Sequence, residues 1–286
     1  MNWLWMLFAM GGGILFWAFC VEPNWHRLRR ITVRGQKKIK TPFTILHLSD
    51  IHFVGKVGLK QYFFQRLSML NPDLIVVTGD VIDNDEGIDT AAKYLSGLRA
   101  RYGTYLVLGN HEYYDYHFKD NIRYHLFAGK VSPHRNDTER FVRAMKSVGI
   151  RVLVNDSARL EVHGNPVVIG GTDDPLTQKI NMGDALRGMD SATYNIMLMH
   201  VADGLLQLQR DDLVDLVFSG HTHGGQIRIP FWGAIHWDTK LPRRYVEGMN
   251  EYKGIKVFVS RGVGAGRYLF LRFACRPEAV LFEVRP

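Results

Sequence analysis

The sequence predicts an α/β protein, a largely parallel sheet covered on both faces, entered through an N-terminal apolar helix. Three observations carry this reading. From Thr41 onward, short apolar runs alternate with stretches of helical spacing. Those runs hold apolar residues at neighbouring positions rather than only at every second one, as strands buried on both faces require. Ahead of them, Trp3 to Val21 is 19 residues without a charge, about 28 Å as a helix and long enough to span a bilayer core.

Residues 1–22 read as a membrane anchor. A secretory signal wants positive charge before its apolar run and small residues at a cleavage site. Here only Met1 and Asn2 precede the run, and Ala18-Phe19-Cys20 is a poor cleavage site. Residues 22–45 then carry seven basic side chains (Arg27, Arg29, Arg30, Arg34, Lys37, Lys38, Lys40) and one acidic, Glu22. Of the formal net charge of +8, this segment holds +6 and leaves +2 for everything else. A long nucleic-acid track is thereby excluded, and no nucleic-acid partner is expected. Residues 23–41 read instead as a basic juxtamembrane segment facing anionic lipid, which places residues 42–286 on the cytoplasmic side. Cys20 and Cys275 cannot build a disulfide framework, and Cys275 reads as a small core residue.

The remaining elements follow in order. Residues 43–48 read as a strand ending at Ser49-Asp50, and 56–70 as a helix stopped by Asn71-Pro72. A second strand, 73–78, ends at Gly79-Asp80; a helix over 88–101 leads to a third, 103–108, ending at Gly109-Asn110. Shorter strands are expected at 152–154, 158–162, 167–169, 195–199, 213–218, 245–247, 256–260 and 279–284. Between the halves, residues 113–150 are long and irregular, dense in aromatics and cations, and close in an amphipathic helix over 138–148.

Polar clusters sit just past the apolar strands: Asp50-Ile51-His52, Gly79-Asp80, Gly109-Asn110-His111-Glu112, Met199-His200 and Gly220-His221-Thr222-His223. In open α/β sheets, functional groups collect beyond the carboxyl ends of strands. Singly, each cluster is an ordinary turn. Together they bring three oxygen ligands and four imidazoles to one sheet edge, which points to a metal site. Asp50 and His52 are two residues apart, as are His221 and His223, so each pair can close on one ion from a tight turn.

These five blocks resemble, in order, the pattern of the calcineurin-like metallophosphoesterases: D-x-H, G-D, G-N-H-[ED], H and G-H-x-H. The resemblance implies a four-layer α-β-β-α sandwich with a dinuclear metal centre at the sheet edges. It further implies that Asp50, His52, Asp80 and His223 hold one divalent ion, and that Asp80, Asn110, His200 and His221 hold the other. Asp80 would bridge them. Hydrolysis of a phosphodiester or pyrophosphate by a metal-activated hydroxide follows. His111 is the implied acid for the leaving oxygen, with Asp83 and Glu112 orienting the groups that touch metal or substrate. The mixed imidazole, carboxylate and amide set suits manganese, with iron or zinc as alternatives.

Further stretches are similar to a membrane-associated subgroup that includes UDP-2,3-diacylglucosamine diphosphatases. They are Glu22-Pro23-Asn24-Trp25, Gly171-Thr172-Asp173-Asp174-Pro175, residues 241–248, Ser260-Arg261-Gly262 and residues 272–278. This likeness implies a bacterial-type inner-membrane enzyme in lipid A synthesis, with a lipid- or nucleotide-linked phosphate substrate. Arg243, Arg244, Arg261 and Arg267 are the candidates to meet the substrate's extra phosphate charge, since guanidinium pairs with it bidentately. The chain departs from the subgroup at residues 262–270, at His200-Val201-Ala202-Asp203, and in the length of 113–138, a candidate lid. A general phosphodiesterase and a non-catalytic membrane-bound scaffold are the rival readings. The oligomeric state stays open.

Overall fold

Strands apolar on both faces need two covers, and the chain supplies them by stacking two six-stranded sheets between two outer layers. The computed structural model describes residues 2–35, 38–117, 133–178, 180–209, 212–266 and 270–286. With strands numbered along the chain, the first sheet runs β1 (Arg27–Arg34), β16 (Glu278–Arg285), β2 (Phe43–Leu48), β3 (Leu74–Thr78), β4 (Thr104–Val107) and β7 (Ile150–Val152). The second runs β14 (Gly248–Tyr252), β15 (Ile255–Val259), β11 (Leu216–Ser219), β10 (Tyr194–Leu198), β9 (Asn165–Gly171) and β8 (Asp156–Val162). Two small two-stranded sheets pair β5 (Tyr114–Asp115) with β6 (His134–Arg135), and β12 (Arg228–Ile229) with β13 (Gly233–Ala234), the latter a hairpin.

Alternation along β3 shows how the layers form. Leu74 and Val76 turn into the space between the sheets, against residues such as Ile196 and Phe218 of the second sheet. Ile75 and Val77 turn outward and are buried by Phe63, Phe64 and Leu67 of the helix Lys60–Leu67 and by Ile88 and Leu95 of the helix Gly87–Ser96. Phe141 and Met145 of the helix Thr138–Ser147 complete that cover. On the far side, Met197, Val217 and Val257 pack on short helical turns, Met182–Ala185, Ala202–Gln207 and Arg243–Val246. The expected four layers are present, although the second outer layer is made of single turns rather than long helices.

Within the first sheet β2, β3, β4 and β7 are parallel, as are β9, β10, β11 and β15 in the second. The carboxyl ends of β2, β3, β4, β10 and β11 therefore carry all five polar clusters.

The N-terminal segment is helical over Asn2–Phe16, widens to a π-helical turn at Trp17–Val21 and tightens to a 3-10 turn at Glu22–Asn24. Trp5–Asn24 is long and apolar enough to cross a membrane, with a mean hydropathy of 1.6.

Two expectations are corrected. The segment 23–41 is not a separate juxtamembrane collar, because Arg27–Arg34 is an edge strand paired in parallel with β16. Its arginines conceal an alternation in which Ile31 and Val33 turn into the core between the sheets, while Arg27 and Arg29 bond the buried carboxylate of Glu278 at 2.9 and 3.2 Å. At about 3.3 Å per residue this strand carries Arg34 and the lysines after it away from the apolar helix. The sandwich thus begins well before residue 42. Residues 245–247 form no strand either: Pro242 opens a 3-10 turn, and the buried Tyr245 donates its hydroxyl hydrogen to the Glu251 carbonyl at 2.7 Å.

Removing the Glu278 carboxylate leaves two partly buried guanidinium groups facing each other. Glu278→Ala is expected to destabilise the fold by about 2 kcal/mol, measured by denaturant unfolding in detergent. An unchanged midpoint would show that the strand β1 is held by its backbone alone.

Candidate metal centre

Each strand end delivers its polar group through a tight backbone. Asp50, His52, Asp80, His221 and His223 all have positive φ, between 49° and 70°. For non-glycine residues such conformations cost on the order of 1 kcal/mol each and persist where the surroundings fix them. The fixing contacts are visible. The His221 N–H donates to both Asp50 carboxylate oxygens, at 2.9 and 3.1 Å, and the His111 N–H donates to Asp80 Oδ1 at 2.9 Å. Gly79 has φ +73°, and a β-carbon there would lie 2.6 Å from His200 Nδ1; only glycine lets the third and tenth strands' loops approach so closely.

The side chains converge into groups whose ligand atoms lie within 4.8 Å of one another: Asp50, His52 and His223; His52, Asp80 and His111; Asp80, His200 and His221. His52 Nε2 lies 3.1 Å from His223 Nε2 and 3.9 Å from Asp80 Oδ2, and His200 Nε2 lies 3.2 Å from that same oxygen. Hydrogen bonds on the opposite ring edges select the tautomers. His200 Nδ1 donates to the Thr78 carbonyl at 2.8 Å, and His52 Nδ1 faces Asp83 Oδ1 at 2.7 Å. Both Nε2 atoms are thereby turned into the site. Burial, the neighbouring His52 and the buried Arg272 hold His223 well below the ordinary histidine range.

Buried atoms in this cluster that lack a well-formed hydrogen bond include Asn110 Oδ1, His200 Nε2 and His221 Nε2. Leaving a buried acceptor unpaired costs about 1–3 kcal/mol. Converging lone pairs on an amide oxygen and two imidazoles, beside a shared carboxylate, fit divalent cations and little else. The donor set therefore suits the group that the sequence implies.

Around these lie the positioning groups. Glu112 is fully buried and accepts from four backbone N–H groups, those of Asp80 at 2.9 Å, Val81 at 2.7 Å, Ile82 at 3.2 Å and Gly109 at 2.7 Å. Burial and the Asp80 charge push it up to about 7. Asp83 touches His52 and also His111 Nδ1, at 3.1 Å. Burial alone would lower His111, but the carboxylates of Asp80 and Asp83 push it up to about 9. The ends of the candidate lid cap this loop: Asn136 donates to the His111 carbonyl and Thr138 to that of Glu112, both at 2.8 Å. Most of the lid itself, residues 118–132, lies outside the described residues.

A profile of the calcineurin-like phosphoesterase family matches residues 43–225. The chain belongs to that family. Among curated relatives, it is 28% identical over 281 residues to the phosphodiesterase YaeI of Escherichia coli, covering 96% of this chain and 94% of that one. It is 29% identical over 249 residues to the uncharacterized metallophosphoesterase YkuE of Bacillus subtilis, covering 85% and 79%. A transmembrane protein with metallophosphoesterase domain from Bos taurus is 28% identical over 239 residues, 74% of this chain and 49% of that protein. Family and ligand clusters together make the chain a metal-dependent phosphoester hydrolase.

Of the four arginines singled out in the sequence, Arg244 is exposed beside the Tyr245 ring and Arg243 donates to the Trp232 carbonyl at 2.6 Å. Arg261 is not a free cation, because it is bound to Glu247, at 3.0 Å for the Nη2–Oε1 pair. Arg267 lies outside the described residues. Sequence reasoning missed Arg272, fully buried with its Nη2 3.2 Å from His223 Nδ1. It also missed the role of Cys275, whose thiol donates to the His223 carbonyl at 3.2 Å. Both fall in a stretch noted for its likeness to the subgroup, the only signal they gave.

Glu112→Ala should leave four buried N–H groups without an acceptor. The expected result is a loss of about 3 kcal/mol of stability together with a lower metal content by elemental analysis. Asp80→Ala should reduce turnover of a simple diester by about a thousandfold while the protein stays folded by circular dichroism. Retained turnover would remove Asp80 from the centre.

Proposed function

We propose that this hydrolase is a membrane-anchored phosphodiesterase that cleaves a phosphodiester or pyrophosphate carried by a lipid. UDP-2,3-diacylglucosamine, the lipid A precursor, is the first substrate to test; its cleavage would give UMP and the acyl-sugar 1-phosphate. One observation carries the reading: the base of the apolar helix is bonded to the segment 272–275, whose Arg272 and Cys275 touch His223. The Arg272 N–H donates to the Ala18 carbonyl at 2.9 Å, and the Glu22 carboxylate accepts from the N–H groups of Ala274, at 2.9 Å, and Cys275. The Trp17 indole also donates to Glu22, at 2.7 Å. A helix crossing a bilayer would then hold the site within a few side chains of the lipid headgroups.

In this reading Asp50, His52, Asp80 and His223 hold one ion, and Asp80, Asn110, His200 and His221 the other. Manganese is favoured by the mixed donors, with iron or zinc as alternatives. Such a pair supplies an activated water and positive charge for the phosphate oxygens. His111, protonated near neutral pH by its two carboxylate neighbours, delivers a proton to the leaving oxygen. Asp83 keeps His52 and His111 in orientation, and Glu112 fixes the loops on which Asp80 and Asn110 ride. Arg243 and Arg244, with Arg267, are the cations offered to a second phosphate. The site would face the cytoplasmic side of a bacterial-type inner membrane, where anionic lipid meets the exposed Arg30.

The second reading is a phosphodiesterase acting on nucleotides or other envelope phosphodiesters, favoured by the likeness to the E. coli phosphodiesterase YaeI. Full-length protein loaded with manganese in detergent, given UDP-2,3-diacylglucosamine, should release UMP, and Asp80→Ala should abolish the release. Hydrolysis of a simple chromogenic diester without UMP would overturn the lipid A substrate and leave the second reading.

A further inference from the structure

The hairpin β12–β13 grows directly out of the loop that carries His221 and His223, and its tip is an exposed apolar cluster. Phe231 is fully exposed, Trp232 is 70% exposed, and Ile229 and Ile235 are about half exposed. The adjacent phenylalanine and tryptophan at one turn make an apolar knob with no core beneath it. From Gln226 to Trp237 there is no acidic residue. The turn is held in shape rather than left loose. Trp232 N–H donates to the Ile229 carbonyl at 3.1 Å, while Arg243 donates to the Trp232 carbonyl and lies over the Trp232 and Trp237 rings at 5.9 and 5.6 Å.

Its root lies beside the N-terminal helix. Ile227 pairs with Phe273, the Arg228 N–H donates to the Phe273 carbonyl at 2.9 Å, and the next residue back, Arg272, bonds Ala18 of the helix. Phe270 from the same segment meets Phe19 of the helix edge to face, 5.5 Å between ring centres. Hairpin arm, connecting segment and helix therefore lie side by side at the metal edge.

We propose that the tip of this hairpin, Ile229 to Trp232, is a second membrane contact that enters the interface of the leaflet next to the helix and holds the metal edge against it. The proposal rests on the reading of the helix as a membrane anchor. Its occupant is the headgroup–acyl boundary of an anionic bilayer, for which the chemistry is suited: tryptophan and phenylalanine partition there, and Arg243 at the root meets lipid phosphate. Two attachments fix an orientation that a single helix leaves free to swivel. The space between them would give an acylated phosphodiester a route from the leaflet to the site.

The test uses the full chain in vesicles of phosphatidylcholine and phosphatidylglycerol. An environment-sensitive fluorophore is placed by Phe231→Cys, by Phe8→Cys in the helix, or by Met69→Cys, each with Cys20→Ser; Cys275 is buried. Met69 is exposed just ahead of β3, at the opposite edge of the sandwich. Each labelled protein is first confirmed to hydrolyse a simple diester. Lipid-borne nitroxide should quench the probe at 231 at least about twofold more than the probe at 69. Quenching at 8 with none beyond the control at 231 overturns the hairpin contact and leaves the anchor intact. No quenching at either 8 or 231 overturns both.

Discussion

The carboxylate of Glu112 sets the geometry on which the centre depends. It is buried, and its two oxygens gather N–H groups from the loop after β3 and from the loop after β4, so that one side chain fixes two strand ends relative to each other. Asp80 and Asn110 ride on those loops. The cost of burying this charge is met by four backbone dipoles, and the exchange stiffens the turn where Asp80 would otherwise relax out of its positive-φ conformation. A buried carboxylate satisfied only by backbone is also a device that makes no demand on the metal-facing side chains.

The convergence of those side chains is the second constraint. The imidazoles and the amide oxygen facing the centre converge on one another and on the Asp80 carboxylate, while the far edges of His52, His200 and His223 are tied to Asp83, Thr78 and the neighbourhood of Arg272. The two sheets make this possible because their parallel strands end at one common edge. Each loop needs to contribute only one or two residues, and left-handed turns aim them inward.

The N-terminal segment is joined to the same edge rather than to a distant surface. Glu22 binds the backbone before β16, and Cys275 in that backbone touches the loop of His223. The chain's basic residues are partly structural: Arg27 and Arg29 neutralise Glu278 inside the sheet, so the positive charge after the apolar helix is not simply a solvated collar. The apolar helix, the aromatic hairpin tip and the metal loops are thus placed together at one edge of the sandwich.

Much of this was legible from the residues. Neighbouring apolar residues identified β2, β3 and β4, since a strand buried on both faces is not limited to alternate apolar positions, and the polar cluster after each marked the functional edge. The spacing within Asp50-Ile51-His52 and His221-Thr222-His223 named the ligand candidates because short turns have few ways to aim two side chains. What the pattern could not give was anything that depends on distant partners. β1 was hidden because its arginines look like a solvated run until Glu278, some 250 residues away, is seen between them. Arg261 looked available for phosphate until Glu247 was found beside it, and Arg272 and Cys275 acquire meaning only against His223 and Glu22. Local periodicity and turn chemistry are written in consecutive residues and so are readable from the sequence; charge pairing and the juxtaposition of loops are decided by which strands become neighbours, and only the folded chain settles that.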